Sequence, residues 1–170
     1  MKLCQSVAVL IIDTPGICLV QQQDTGNASF SWVLPGGPMR EGELLQEAVE
    51  RVALQMTGLK VESLGRLVYL VQSHDLVEAT FTTTFVLQAV KWSGALLPSS
   101  PEHQVLRTEL VSLRDAMARL QTARSRAIWE PMVNYLQSRA HTGAVWCYRT
   151  DDRGQEHLVS RIDGLGRGFA

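Results

Sequence analysis

The chain has 170 residues and a mass of 18.8 kDa, the size of one domain with an extension and too little for two ordinary domains. Sixteen Lys and Arg stand against seventeen Asp and Glu, a formal charge of -1 that supplies no overall drive toward nucleic acid or an anionic membrane. Hydrophobic residues make up 45% of the chain, too many for a disordered protein. Cys4, Cys18 and Cys147 are odd in number, widely separated and in no C-x-x-C pair, which argues against a disulfide framework or a zinc knuckle and for a reducing, cytoplasmic setting. The apolar run at 7–12 is cut off by Asp13 and is shorter than a signal-peptide core. No stretch approaches the roughly 18 apolar residues of a membrane span.

Residues 7–12 and 17–21 are apolar runs separated by Asp13-Thr14-Pro15-Gly16, in which proline presets one dihedral and glycine permits the other, so they read as two adjacent strands. A polar loop over 22–29 leads to alternating Phe30, Trp32 and Leu34, a strand that Pro35-Gly36-Gly37 brings to a stop. Residues 43–57 have helical character and close at Gly58, a natural left-handed cap. Residues 61–72 and 78–90, rich in Val, Leu, Phe and Thr, read as hairpin arms joined at Ser73-His74-Asp75. The segment 92–101 carries no periodic signal and reads as an exposed loop that could overhang a site.

Leu106, Leu110, Leu113, Met117 and Leu120 recur at helical spacing, with a strand over 110–113 as the alternative beginning, and a further helix is expected over 127–138. After Gly143, residues 145–149 and 157–162 read as hairpin arms around Asp151-Asp152-Arg153-Gly154, followed by a frayed glycine-rich end. The order of elements describes a mixed α/β domain over 1–138 with a C-terminal β-ribbon extension over 139–170. Such a ribbon can cover a sheet edge or pair with a second subunit, the basis for expecting a homodimer through residues 145–162. His74, His103, His141 and His157 show no metal-ligand spacing, and Trp129, Trp146 and Tyr148 read as core rather than as a ligand surface.

Residues 32–59, WVLPGGPMREGELLQEAVERVALQMTGL, resemble the signature region of the Nudix hydrolase family. That family box runs Gly, five residues, Glu, seven residues, then Arg-Glu-bulky-any-Glu-Glu-any-Gly-bulky, and Gly37, Glu43, Arg51, Gly58 and Leu59 fall in register with it. The resemblance implies an α/β/α sandwich built on a mixed sheet, over residues 5 to about 138. It implies a nucleotide-like substrate, while the charge balance and the lack of an apolar span lead to the expectation of no nucleic acid and no membrane as partner. It implies divalent magnesium or manganese held by carboxylates against a pyrophosphate, because hard cations take oxygen ligands and neutralise charge on the leaving group.

The three helical glutamates of the box are absent: Val52, Gln55 and Met56 stand in their places. Glu43, Glu47 and Glu50 sit about half a turn away from those positions at roughly 100° per residue. Val52 offers no ligand, Met56 a soft sulfur and Gln55 an uncharged oxygen. The remaining candidates for metal are the Gly36 carbonyl and Glu102, with Glu109 weaker. Arg51 is expected to pair with Glu47 one turn earlier in preference to reaching a phosphate.

Leu45, Ala48, Val49, Val52, Ala53, Met56 and Leu59 make a broad apolar stripe on the helix. The cleft flank of the helix is therefore hydrophobic, filled by another part of the chain or a subunit in the favoured reading, open to a less charged ligand in the other. The expected ligand cleft comprises Gly36, Gly37, Glu43, Val52, Gln55 and Met56, with Glu102 and Arg51 as the candidate catalytic residues. Gln22 and Gln23 stand where many relatives of the family place a substrate-facing arginine. Three functions are open: a Nudix-fold ligand-binding or assembly module with weak or no hydrolysis, a hydrolase that cleaves a nucleoside diphosphate linked to another group through a rearranged metal site, and a purely structural role with residues 145–162 as the dimer contact.

Overall fold

Val7 and Val9 point to one side of the first strand and Leu10 to the other, and all three are buried. Such a strand has to lie inside a sheet covered on both faces. The computed structural model describes residues 1–14, 16–24, 28–97 and 105–164. In chain order they form β1 (Lys2–Leu10), β2 (Ile12–Asp13), β3 (Gly16–Gln23), β4 (Phe30–Val33), β5 (Gly36–Pro38), α1 (Leu45–Thr57), β6 (Leu59–Asp75) and β7 (Thr80–Gly94). Then follow β8 (Val105–Ser112), α2 (Leu113–Leu120), α3 (Arg126–Leu136), β9 (Ala144–Thr150) and β10 (Glu156–Ile162).

Six strands make one mixed sheet in the order β10-β9-β6-β7-β1-β5. The pairs β1–β7 and β6–β9 are parallel, the others antiparallel. A four-stranded antiparallel sheet is built on β3, which pairs with β2, β4 and β8. Helix α1 packs on one face of the mixed sheet, where Ala48, Val49, Val52 and Ala53 meet Val7, Val9 and Ile11. On the other face α2 and α3 contribute Ala116, Leu120, Met132 and Val133 to a core shared with Leu10, Tyr69, Trp146 and Tyr148. The layering is the expected α/β/α arrangement with few helices, and no described helix is long and apolar enough to cross a membrane.

Several local expectations are corrected by tertiary pairing. The run 7–12 is not one strand: β1 ends at Leu10, and Ile12 belongs to β2 in the other sheet. The two runs are therefore adjacent only at Ile12, which pairs with Ile17, while the rest of the first run lies in the mixed sheet; Cys18 N donates to Ile11 O at 3.0 Å beside that junction. The strand over 30–34 does end, at Val33, but regular structure resumes within the glycine turn, where Gly36–Pro38 forms β5 against β1. The hairpin turn falls at 76–79 rather than 73–75: Asp75 Oδ1 accepts from the amides of Val77 and Glu78, and β6 continues through Asp75.

Strand β7 runs through Trp92 to Gly94, into the expected loop, whereas residues 98–104, with His103 and the candidate Glu102, lie outside the described residues. Residues 105–112 are strand, not helix, so Leu106 and Leu110 precede α2. Of the frayed end expected over 163–170, residues 165–170 also lie outside the described residues.

The expected C-terminal hairpin forms and enters the mixed sheet, because β9 lies parallel to β6 and β10 antiparallel to β9. Trp146 and Tyr148 are buried in the α2–α3 core. Glu156 on β10 accepts from Ser125 Oγ at 2.7 Å and from Ala127 N at 3.1 Å, so its carboxylate occupies the donor-rich start of α3. Trp146→Ala is expected to cost about 3–5 kcal/mol, as large aromatic deletions in cores do, and Val159→Ala, at an exposed position, to stay within about 0.5 kcal/mol. Urea unfolding of both variants checks this.

Candidate ligand cleft

The loop ahead of α1 is organised by one carboxylate. Glu43 receives Arg51 Nε on Oε1 at 2.6 Å and Arg51 Nη2 on Oε2 at 2.7 Å, a two-pronged pair eight residues apart. Arg40 N donates to the same carboxylate at 2.9 Å, and Arg51 Nη2 also donates to Pro38 O at 3.0 Å. Arg51 therefore pairs with Glu43 in the loop and not with Glu47, whose carboxylate instead accepts from Leu44 N at 2.8 Å at the helix start. The Arg51 guanidinium holds the Glu43 carboxyl at about 2, with the Arg40 amide adding to the effect. At its other end α1 closes on Gly58 at φ 78, where an added Cβ would lie 2.5 Å from Leu97 O.

Between these ends lie the three positions of interest. Val52 is fully buried among Val7, Val9, Ile11 and Cys18. Met56 is fully buried against Val20, Val33 and partly buried Val105, and its Sδ accepts the Gly36 amide at 3.2 Å. Gln55 is half-buried, with Oε1 3.5 Å from Arg51 Nη1. The surface that was to floor a cleft is thus packed by the chain's own strands, and Val52 and Met56 face no opening.

The described residues at these positions do not fit a magnesium-type ion, since an aliphatic group, a buried thioether and an amide lack the hard anionic oxygens it takes. No group of three or more His, Cys, Asp or Glu able to hold a metal occurs among the described residues. Glu109 is on β8, bonded to Arg119 at 2.8 Å, with that guanidinium stacked 4.4 Å over the Trp32 ring.

An opening does exist, on the opposite face of β1. A cavity of about 390 Å³ is floored by Ser6 and Ala8 of β1, Tyr69, Val71 and Ser73 of β6, and Thr82, Thr84 and Val86 of β7. Its walls are Gln22, Val33, Leu34, Gly36 and Gly37 on one side and Ser125, Ala127 and Ile128 at the start of α3 on the other. Gly36 fits there because a Cβ would come within 2.6 Å of Val7 O. One end of the floor is apolar, from Ala8 through Val86 to Tyr69, and the other is lined by hydroxyls. No lining residue carries a charge at neutral pH: burial pushes the Tyr69 phenol further up from its ordinary value. Of the expected cleft residues, the cavity holds Gly36 and Gly37 and leaves out Glu43, Val52, Gln55 and Met56, as it does the candidate catalytic Arg51. The floor residues carry no motif. Their alternation along β1, β6 and β7 is the signal that places them on one face.

The NUDIX domain family model matches residues 2–131. Among solved structures the chain is similar to a mutator MutT protein from Bacillus halodurans, with a TM-score of 0.67 at 19% identity over 93% of this chain and 95% of that one. It is also similar to a NUDIX hydrolase from Nitrosomonas europaea, with a TM-score of 0.64 at 14% identity over 88% and 80% of the two chains. An ADP-ribose pyrophosphatase from Streptococcus suis gives a TM-score of 0.51 at 18% identity over 87% and 98%. At these identities the likeness is one of fold. No curated protein matches the sequence.

The pair at the helix start yields a pH test. Because the Glu43 carboxyl sits at about 2 in the fold against an ordinary 4.5, the stability it contributes is present above about pH 4.5 and lost as the pH falls toward 2. Glu43→Gln is expected to unfold at lower urea than the parent at pH 7, with the two midpoints converging toward pH 2. A constant gap across that range would show that the charge is not what matters.

Proposed function

The chain belongs to the Nudix family, and we propose that it is a member with a degraded metal-dependent hydrolase site, a module that binds the uncharged part of a nucleotide-like small molecule with weak or no hydrolysis. The observation that carries this reading is the burial of Val52 and Met56. Metal stabilisation of developing charge is worth several kcal/mol, and about 1.36 kcal/mol is tenfold in rate, so its loss costs roughly three or more orders of magnitude.

The cavity supports the choice of ligand. Its volume of about 390 Å³ lies within the ordinary range for small-molecule sites, about 300–1,000 Å³. The apolar end suits a flat ring, and Ser6, Ser73, Thr82 and Thr84 with the Gln22 amide suit hydroxyl and amide groups. A buried phosphate would find no cation in the lining and would stay at the mouth. The rival hydrolase would draw on the Gly36 carbonyl and Glu102 for magnesium or manganese. Its retained scaffold, Glu43 with Arg51, is already accounted for by the loop that the pair holds together.

The test is a panel of nucleosides, nucleoside triphosphates, dinucleotides and nucleotide sugars, assayed for turnover with Mg²⁺ or Mn²⁺ and for thermal stabilisation in EDTA. The expected result is no EDTA-sensitive turnover together with a raised Tm in EDTA for at least one compound, since a ligand at 100 times its Kd adds about 2.7 kcal/mol. Thr84→Phe, which projects into the cavity, is expected to abolish that shift while the unliganded protein stays folded. EDTA-sensitive turnover that falls away in Glu102→Gln would put the hydrolase in its place.

A further inference from the structure

Helix α1 covers only part of its side of the mixed sheet, and the part beyond it is five strands wide. Strand register places Leu3, Phe81, His74, Arg149 and His157 in one row across β1, β7, β6, β9 and β10. The next row on this face runs from Gln5 through Thr83 and Gln72 to Ser160, all uncharged, and the third from Phe85 through Leu70 and Val145 to Ile162. Phe85 packs under α1, whereas Phe81, Leu70 and Val145 belong to none of the core clusters among the described residues. Leu3 is 74% and Ile162 60% exposed. Arg149 is the one permanent charge in the three rows, on a chain in which 19% of residues are charged.

We infer that this open sheet face is the contact surface of a homodimer, in which two copies pack sheet on sheet with β6 lying over β6. The dimensions suit it. At about 4.8 Å between strands and 6.8 Å between alternate residues, the two rows clear of α1 measure about 24 by 14 Å, and Leu70, Val145 and Ile162 extend the patch on β6, β9 and β10. Side-chain relief raises its accessible area above that flat footprint, into the range of the smaller specific interfaces, below the roughly 800 Å² per partner of a standard one.

The pattern is also self-complementary. Strand β6 is the middle strand of β10-β9-β6-β7-β1, so a two-fold axis along it sets β7 over β9 of the second copy. Phe81 then meets Arg149 of the second copy, a favourable cation–π pairing. Leu70 meets Leu70, and the uncharged polar row meets itself. The alternative contact, edge to edge through β10, is blunted by the register shift between Leu158 and Ser160 and by the Arg161–Asp163 ion pair at 3.0 Å. The expected dimer thus forms through the face to which Val145 and Ile162 belong.

Sedimentation velocity on the full chain tests this. The parent is expected at twice 18.8 kDa, and Leu70→Lys, which sets like charges against each other at the axis, at the single mass. Gln72→Lys is a second axial variant should the first fail to fold, with the same expected result. Leu113→Lys, at an exposed position on α2, is expected to keep the doubled mass. A parent that stays monomeric as concentration rises, or axial lysine variants that stay dimeric, overturns the inference.

Discussion

The structure depends on the burial of one helix face against two sheets at once. Ala48, Val49, Val52 and Ala53 close over β1, and Met56 reaches past them to Val20 and Val33 on the second sheet. The Met56 thioether takes the Gly36 amide, while its carbonyl accepts from Thr108 Oγ1 at 2.9 Å, so a single residue ties β5, α1 and β8 together. The neighbouring Thr57 hydroxyl donates to Ala53 O at 2.6 Å and receives Leu59 N at 3.0 Å, which closes the helix end without leaving a buried polar group unpaired. A carboxylate at position 52 or 56 would enter this packing uncompensated, and an uncompensated buried charge is far more costly than a lost contact.

Once that face is committed to the core, charge and opening separate. In the box region the Glu43–Arg51 ion pair, joined by the Arg40 amide, fixes the loop between β5 and α1. The opening lies across β1, where alternation turns Ser6 and Ala8 away from the helix. Its far wall is the start of α3, held by Glu156 from β10. The C-terminal hairpin thus bears on the cavity from residues beyond the 2–131 span matched by the family model. The uncharged lining follows from the same division and fixes the chemistry of what can enter.

The sequence disclosed what is local. Gly58 marked the end of α1 because a left-handed cap is a property of a few neighbouring residues, and the turn at Asp151–Gly154 marked the last hairpin. Strand β5 was hidden because Pro35-Gly36-Gly37 is a breaker by propensity and becomes a strand only through pairing with β1. The place of β9 was hidden because parallel pairing with β6 joins residues some 75 positions apart, as Tyr69 with Ala144, and no local pattern encodes it. Arg51 was assigned to Glu47 by helix spacing, but a loop carboxylate with a better approach takes it. The family box marks α1 and the glycine turn before it, while the cavity, drawn from isolated hydroxyl residues on three strands, leaves no motif to read.

The central claim is that helix positions 52, 55 and 56 no longer gather a divalent ion. Amide NMR of the folded protein during titration with Mn²⁺ tests it most directly, because a bound paramagnetic ion broadens only the amides around it. The account predicts no selective broadening at Gly36, Gly37 and the residues from Val52 to Met56 as Mn²⁺ is added. Saturable, EDTA-reversible broadening centred on those amides would contradict it.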